Sequence, residues 1–315
     1  MRAIGGELEL KEFKEKVYFT DSGRSSLRLF LRSANHSEKK YLLPDFFCEV
    51  VEKIFKEEGV SYSFYHINED LTFNTEEINS LKYDVLYVIN YFGKYSELLA
   101  VNLEQKILLE DNVFFHDFYN YSDADNWYAF NSYRKVEVTA DGSLIKTNMS
   151  INSNLILNKD SAFVSKKYEA KAIKYSYLHE KIFSENDYLT KFVAGESILD
   201  QQHEIYRMSA QSLYLITTQK RTQRVREERF NTLKDSFKEY AIMDESSSYS
   251  FFIMHLKNRD DFRKKLMKKN IFLSVHWPLS TQKNSLYSSI ISIPLFENYN
   301  NKEFNKLIKI MKEVL

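Results

Sequence analysis

Ser132 and Lys135 lie three residues apart, directly after the apolar run "WYAFN". A lysine amine that is held rigidly at a crevice and has a lowered pKa can form a Schiff base with a carbonyl compound. Partial burial and the neighbouring Arg134 would lower that pKa. The Ser132 hydroxyl could donate a hydrogen bond to an anionic group bound nearby. Most lysines are solvated, so this segment alone also allows an ordinary surface role for Lys135.

Two acidic residues, Glu110 and Asp111, end another apolar run, "KILLED". If this run is a strand of a parallel sheet, a carboxylate at its carboxyl end reaches the crevice where such sheets bind ligands. There Asp111 could keep a pyridine nitrogen protonated, which makes the pyridine ring an electron sink. The alternative is that Asp111 only caps the following turn.

The segment "TDSGRSSLRLFLRS", residues 20–33, places Ser and Gly directly before a helical pattern. The free N–H groups and the positive end of that helix would suit a phosphate, and Gly23 would let the turn approach it closely. Gly23, Arg24 and Ser25 are therefore candidates for phosphate binding. An ordinary capped helix explains the same residues.

The composition excludes several classes of protein. The 315 residues carry 44 basic and 44 acidic side chains, so the formal net charge is zero and no overall field attracts nucleic acid or an anionic membrane. The single Cys48 cannot form an internal disulfide, and the first residues, "MRAIGGELELKEFKEK", lack the apolar core of a signal peptide. No apolar run approaches the roughly 20 residues of a membrane span. We therefore expect a soluble, cytoplasmic protein.

Other features of the sequence predict structural roles. The seven histidines lack a spacing typical of metal ligands, so no metal site is expected. Cys48 lies within a helical apolar pattern, which favours a core position. The segment "KRTQRVREER", residues 220–229, alternates charges and is typical of an exposed helix face.

The apolar patterns predict which elements hold these residues. In the first two thirds of the chain, short apolar runs alternate with helical patterns, which implies a parallel sheet covered by helices. The predicted strands are "YLLP", "SYSFYHI", "DVLYVIN", "KILLED" and "WYAFNS", and the predicted helices are "SSLRLFLRS", "FCEVVEKIFKEEG" and "NTEEINSL". The carboxyl ends of the strands should therefore bring Asp111, Ser132 and Lys135 to one edge of the sheet.

The last third of the chain has a different pattern. It is mostly helical from about residue 160 to 240, and a compact α+β unit is then predicted. Its parts are strand "SFFIMHL", helix "RDDFRKKLMKKN", strands "IFLSVHW" and "SIISIPL", and helix "NKEFNKLIKIMKEVL". We therefore predict a large domain, residues 1–213, and a small domain, residues 214–315.

The order of these parts is that of a known group of enzymes. A helix start for phosphate, an aromatic in "LLPDFFCE", a strand-end aspartate and a strand-end Ser-x-x-Lys follow one another as in pyridoxal phosphate enzymes of fold type I. More closely, the chain resembles the DegT/DnrJ/EryC1/StrS family of sugar aminotransferases. The matching segments are "IGGELEL", "SGRSSL", "LLPDFFCEVV", "INYFG", "LLEDN", "SYRK…DG", "YRMSAQS", "RVREERFNTL", "VHWP" and "SIPL". The resemblance implies an α/β fold with a mostly parallel central sheet and a smaller C-terminal α+β domain.

The resemblance also implies an activity. It is the pyridoxal phosphate-dependent transfer of an amino group, usually from glutamate, to a nucleotide-linked keto sugar for polysaccharide, lipopolysaccharide or related glycoconjugate synthesis. The enzyme would be a homodimer with its active site at the subunit interface. Lys135 would carry the cofactor and shuttle the proton, Asp111 would pair with the pyridine nitrogen, and Phe46 would stack on the ring unless it belongs to the core. Gly23, Arg24 and Ser25 would lie under the phosphate, with Ser132 nearby.

The chain departs from the family's pattern in three places. Many members have His or Gln three residues after the aspartate, in contact with the cofactor's phenolic oxygen, where this chain has Phe114; His116 could replace that contact. The family's Asn in "NYRMS" is Ile205 here, and the glycine-rich segment after the lysine is reduced to "ADGS". His276 in "VHWP" could line the substrate pocket or pack within a turn. These departures keep two alternatives open: a catalytically reduced binding or regulatory subunit, and a sugar dehydratase that uses the same cofactor.

Overall fold

The structure is a computed structural model that describes residues 15–33, 36–119, 124–218, 223–277, 283–297 and 299–315. One matching segment, "IGGELEL", lies outside these ranges, and so does the proline of "VHWP".

A seven-stranded sheet forms the centre of the larger part of the molecule. Its strands are β1 (Lys16–Thr20), β2 (Lys40–Pro44), β3 (Ser61–Tyr65), β4 (Val85–Ile89), β5 (Ile107–Asn112), β6 (Asn126–Asn131) and β7 (Ser143–Thr147). They lie in the order β1-β7-β6-β5-β4-β2-β3. Strands β2 to β6 are parallel, and β7 is antiparallel to both of its neighbours. The predicted mostly parallel sheet is confirmed, and its five predicted strands are β2 to β6.

Helices connect these strands and cover the sheet. They are α1 (Gly23–Arg32), α2 (Glu49–Glu57), α3 (Thr75–Ser80) and the single turn α4 (Tyr133–Val136). Every residue of β4 and β5 is buried, as expected for parallel strands that are covered on both faces. The connection from β4 to β5 contains only a 3₁₀ turn, Tyr91–Gly93, in place of an α-helix.

A helical hairpin extends from the sheet. A short parallel pair, β8 (Ile156–Leu157) and β9 (Ile205–Tyr206), frames α5 (Ala162–Tyr175), a π-helical turn (Ser176–Glu180) and α6 (Glu185–Asp200). Helix α6 buries only Gly195 and Leu199. The hairpin therefore leaves much of its apolar surface open.

The C-terminal part forms an α+β unit with a hydrophobic core of its own. After α7 (Ala210–Thr218) come α8 (Gln223–Ser236), β10 (Phe251–His255), α9 (Arg259–Met267), α10 (Leu286–Ser289), β11 (Ile290–Pro294) and α11 (Asn301–Val314). Strands β10 and β11 pair antiparallel. The predicted boundary after residue 213 falls inside α7, and the division into 1–213 and 214–315 stays a prediction.

Two expectations for this unit are wrong. The segment "IFLSVHW" is not a strand: it makes one isolated bridge, Ser274 to Ser292, and it ends at Trp277, whose backbone is left-handed with φ +57°. The face of α8 is not uniformly exposed, since Arg226 and Arg229 are buried. Arg226 forms two 2.9 Å hydrogen bonds to Glu297, and the Arg229 guanidinium lies 4.4 Å from the centre of the Tyr299 ring.

Within the described ranges, no helix is long and apolar enough to cross a membrane.

Candidate active site

A cavity of about 620 Å³, open to solvent, lies at the carboxyl ends of β5 and β6 beside the start of α1. Strand-to-helix turns meet here because parallel strands end at the same edge of the sheet. Its polar lining comprises Ser22, Arg24, Cys48, Asp111, Ser132, Arg134 and Lys135, and its other lining residues include Gly23, Val113 and Trp277. The sheet thus brings together the lysine, the aspartate and the helix start that the sequence singled out.

Lys135 is placed by the single turn α4, which follows β6 directly. Its backbone N–H donates to the Ser132 carbonyl over 3.0 Å, and its amine lies 5.0 Å from the centre of the Phe114 ring. Enclosure by protein lowers the pKa of Lys135 below its ordinary value, and the charges of Arg134 and Arg24 lower it further. Asp111 and Cys48 act in the opposite direction. The surroundings therefore favour a neutral, nucleophilic amine.

Asp111 approaches the same cavity from β5. Its Oδ2 accepts a 2.6 Å hydrogen bond from the Tyr87 hydroxyl, and its Oδ1 accepts a 3.0 Å bond from the Val113 N–H. Burial raises the pKa of Asp111, while the Tyr87 hydrogen bond and the charge of Lys135 oppose that rise. A buried carboxylate at the cavity wall is suited to hold a positive group, such as a protonated ring nitrogen.

The first turn of α1 forms one side of the cavity. The Ser22 side chain caps the helix by accepting a 3.2 Å hydrogen bond from the Ser25 N–H. A Cβ at Gly23 would lie 3.3 Å from the Asn131 carbonyl oxygen and 3.4 Å from the Phe130 ring, so only glycine fits here without a shift. The amides at the start of a helix have no partner within it and can hold an anion.

Two arginine side chains lie near this helix start. Arg24 and Arg134 line the cavity. Each also forms an ion pair with α6: Arg24 with Asp200 over 2.6 Å, and Arg134 with Glu196 over 2.7 Å. Although burial raises the pKa of Glu196, Arg134 and Lys167 together hold it at about 2. Helix α6 is thereby fixed next to the cavity.

The segments "ADGS" and "YRMS" contact each other and support the start of α1. Gly142 has φ +114°, and a Cβ there would lie 2.5 Å from the Met208 Cε. Its N–H donates to the carbonyl of Asp21, just before the α1 cap, over 2.6 Å. Asp141 accepts hydrogen bonds from both the N–H and the hydroxyl of Ser209, each 2.7 Å long. These contacts tie the α1 start to the segment after Lys135 and to α7.

Two predicted cofactor-binding residues do not line the cavity. Ser25 is fully buried, with its hydroxyl near Ser22 and Gln202, so its contacts support the α1 cap. Phe46 is also fully buried, and its ring packs against those of Tyr91, Trp277 and Tyr287 at 4.9 to 5.6 Å. These residues have core contacts in the structure, and their roles toward a cofactor stay predictions.

The two candidate histidines have partners of their own. His116 Nδ1 lies 2.7 Å from Glu137 Oε1. His276 Nδ1 lies 2.7 Å from the Ser292 hydroxyl, and its ring packs against Phe92, Phe114 and Phe251. Burial, followed by the charge of Lys135, lowers the pKa of His276 to about 3, so the ring is neutral. Neither residue lines the cavity.

The lining residues that the sequence interpretation missed include Cys48, Val113, Arg134 and Trp277. Cys48, expected in the core, is half-buried at the start of α2 and lines the cavity. Val113 follows Asp111 by two residues, a spacing that could have suggested it. Arg134 was considered only for its effect on Lys135. Trp277 comes from the C-terminal part and no local pattern points to it.

In the described part of the chain, no group of three or more His, Cys, Asp or Glu side chains could hold a metal ion.

The fold is the one seen in solved structures of aminotransferases. A protein of Streptococcus pneumoniae, Spr1654, whose name describes it as a sugar aminotransferase, was solved with PLP. It superimposes with a TM-score of 0.64 at 14% identity, over 95% of this chain and 88% of that one. A DegT DnrJ EryC1 StrS aminotransferase from Brucella abortus gives 0.61 at 12% identity, over 94% and 85%. The histidinol-phosphate aminotransferase of Clostridium acetobutylicum gives 0.55 at 13% identity, over 96% and 84%.

These structures include sugar aminotransferases of the kind that the sequence resembles, and at such identities they show the fold. No family model matches the sequence, and no curated protein matches it.

Proposed function

We propose that this protein is a pyridoxal phosphate-dependent aminotransferase that transfers an amino group to a keto sugar. The observation that carries the proposal is the placement of the Lys135 amine and the Asp111 carboxylate in one cavity at the carboxyl ends of adjacent strands. The fold similarity to sugar aminotransferases supports the acceptor class.

The residues present fit this cofactor. Lys135 supplies an amine of lowered pKa for the cofactor's aldehyde, and Asp111 supplies a buried carboxylate for its ring nitrogen. The start of α1 with Gly23 and Arg24, and the Ser132 hydroxyl, supply donors for its phosphate. Val113 gives the ring an apolar neighbour. A fold without this chemistry would not need a half-buried lysine and a buried aspartate beside a helix start.

When bound, pyridoxal phosphate withdraws electrons from an attached amine and so labilises the hydrogen on the neighbouring carbon. The chain's own residues do the rest. The Lys135 amine, whose pKa burial lowers, would accept that proton and return it elsewhere on the substrate. Asp111 would hold the ring nitrogen protonated, and the Tyr87 hydroxyl orients Asp111 and favours its ionised form. Trp277 forms part of the wall of the cavity that contains Lys135.

The acceptor is inferred to be a nucleotide-linked keto sugar, with glutamate as the donor. Arg24 and Arg134 line the cavity and carry charges that suit a sugar diphosphate or the second carboxylate of glutamate. The products would serve polysaccharide, lipopolysaccharide or related glycoconjugate synthesis. Cys48 is a free thiol in the cavity wall, which fits a reducing, cytoplasmic compartment.

We also infer a homodimer. The α5–α6 hairpin and α7 leave a row of large apolar side chains exposed: Tyr175, Leu178, Ile182, Phe183, Leu189, Phe192, Val193, Leu213 and Tyr214. Apolar surface of this extent marks an interface. Because α6 also contacts Arg24 and Arg134, a partner bound here would lie next to the cavity.

The acceptor class is tested with glutamate labelled in its amino nitrogen with ¹⁵N. The protein and cofactor are incubated with this donor and a panel of nucleotide-linked keto sugars, and the products are examined by mass spectrometry. We expect ¹⁵N in one amino sugar, and none with Lys135→Ala. Labelled nitrogen only in amino acids formed from 2-oxo acids would contradict a sugar acceptor. Loss of a sugar hydroxyl without nitrogen transfer would indicate a dehydratase.

A further inference from the structure

The indole of Trp277 is buried in the cavity wall with an unused donor. The residue is 7% exposed and lines the cavity that contains Lys135 and Asp111. Its Nε1–H has no hydrogen-bond partner in the described part of the chain. A buried donor without an acceptor costs free energy, so its retention indicates that an acceptor is supplied from outside the chain.

The backbone at this position is strained in a way that fixes the indole. Trp277 has φ +57°, and Phe92, whose ring stacks on it at a centroid distance of 6.0 Å, has φ +52°. Bulky residues rarely adopt this conformation, and such strain is concentrated at functional sites. Phe46 and Tyr91 also pack against the indole, at 5.0 and 5.9 Å. The donor is therefore held in place before any ligand binds.

Other nearby groups cannot readily take this donor's place. Phe114 offers Lys135 only an apolar ring. His116 is paired with Glu137, and His276 with Ser292. Arg134 is bound to Glu196. Ser132 lines the cavity and is already assigned to the phosphate in the proposed site.

The covalent structure of pyridoxal phosphate says which acceptor would be available. Its phenolic oxygen is bonded to the ring carbon next to the one that carries the aldehyde, whereas its pyridine nitrogen is on the far side of the ring from the aldehyde. With the aldehyde at Lys135 and the nitrogen at Asp111, the phenolic oxygen lies on the Lys135 side. This oxygen is anionic and needs a donor.

We propose that Trp277, contributed by the C-terminal unit, donates its indole N–H to the phenolic oxygen of the cofactor. The proposal rests on the proposed function. It makes Trp277 a cofactor-binding residue that links the position of the C-terminal unit to the charge on the cofactor ring.

The first test is the pH titration of the visible absorption band that the cofactor gives when joined to Lys135. Trp277→Phe keeps an aromatic ring and removes the N–H. A hydrogen-bond donor stabilises the phenolate most when the nitrogen that joins the cofactor to Lys135 is unprotonated. Loss of the indole N–H should therefore raise the pH midpoint of the titration by about one unit, a tenfold change in proton affinity. Trp127→Phe is the matched control, because Trp127 is the only other tryptophan and lies at the start of β6, outside the cavity lining. An unchanged midpoint in Trp277→Phe would overturn the proposal.

A second measurement keeps Trp277 intact, in case Trp277→Phe does not fold. The two indole N–H signals are recorded by ¹⁵N NMR before and after pyridoxal phosphate is added, and Trp127→Phe assigns them. We expect the Trp277 signal to move downfield and to become protected from exchange, with Trp127 little changed. If the Trp277 signal does not move in a protein that shows the visible band, the proposed hydrogen bond is refuted and the proposed function is not. A wild-type protein without any Lys135-dependent band refutes the proposed function itself.

Discussion

The Tyr87 hydroxyl donates a 2.6 Å hydrogen bond to Asp111 Oδ2 across the neighbouring strands β4 and β5. Burial alone would raise the pKa of Asp111 and favour its neutral form, and this bond counteracts that effect. The ionised form of Asp111, which the proposed cofactor site requires, is therefore favoured by a tyrosine that does not line the cavity.

Replacing Tyr87 by Phe should consequently weaken the cofactor site. We expect the pKa of Asp111 to rise further and the affinity for pyridoxal phosphate to fall by about tenfold, the effect of one lost hydrogen bond to a charged group. Absorption titrations with the cofactor between pH 6 and pH 9 measure this, and the loss should be largest at the acidic end. Tyr41→Phe, which removes a buried hydroxyl bonded to the His36 carbonyl, is the control. Equal losses in both variants would mean that the effect is general destabilisation.

The close approach of α1 to β6 at Gly23 can be tested by adding a methyl group. In Gly23→Ala the new Cβ would lie 3.3 Å from the Asn131 carbonyl oxygen, so the first turn must shift. We expect a loss of cofactor affinity of about tenfold, and more in Gly23→Val, because the phosphate depends on the position of that turn. Gly59→Ala, with φ +67° and open space around it, should change stability and leave cofactor affinity unaltered.

Glu110 faces away from the cavity and predicts a pH dependence of folding. It is 3% exposed, and one of its oxygens has no hydrogen-bond partner among the residues that the structure describes. Burial raises its pKa from 4.5 to about 7, although Asn90 opposes the rise. A carboxyl with a raised pKa contributes stability at pH values below 4.5, and this contribution is lost as the pH rises towards 7.

Glu110→Gln should therefore gain stability relative to the wild type as the pH rises from 5 to 8. The expected difference between the two pH values is on the order of 2 to 3 kcal/mol. It is measured as the free energy of unfolding in urea, with the exposed Glu104→Gln as the control. If the free energy of unfolding changes with pH in the same way for the wild type and Glu110→Gln, burial does not raise the pKa of Glu110.

The apolar face of the hairpin predicts the oligomeric state. Val193→Asp and Ile182→Asp place charges on side chains that are 60% and 69% exposed. In a homodimer that uses this face, the variants should elute as monomers in light-scattering experiments and bind the cofactor more weakly, because α6 borders the cavity. Leu99→Asp is the control, since Leu99 is 98% exposed and lies in the loop between β4 and β5. A wild-type monomer would contradict the proposed dimer.

The sequence predicted strands β2 to β6 from short segments rich in aliphatic and aromatic residues, and it missed the two antiparallel strands β1 and β7. Strand β7, "SLIKT", was not assigned because Lys146 interrupts it. In the structure the Lys146 amine is bonded to Asp117 and to the Phe118 carbonyl, so the strand is buried despite its charge.

The site was predictable where it depends on strand order and unpredictable where it depends on distant contacts. Lys135, Asp111 and Gly23 converge because the ends of neighbouring strands must meet. Phe46 was predicted next to the cofactor, yet its side chain points into the core while Cys48, two residues later, lines the cavity. Trp277 lies more than 140 residues from Lys135 in the chain, and only the packing of the C-terminal unit brings it to the cavity.

The most direct test of the proposed chemistry is the absorption spectrum of the purified protein with pyridoxal phosphate, before and after glutamate is added. We expect a visible band that is absent in Lys135→Ala and that glutamate converts to the absorption of the aminated cofactor. Lys94→Ala, a change of a lysine outside the cavity, should keep the band. A protein that gives no band, or one whose band persists in Lys135→Ala, would show that Lys135 does not carry the cofactor.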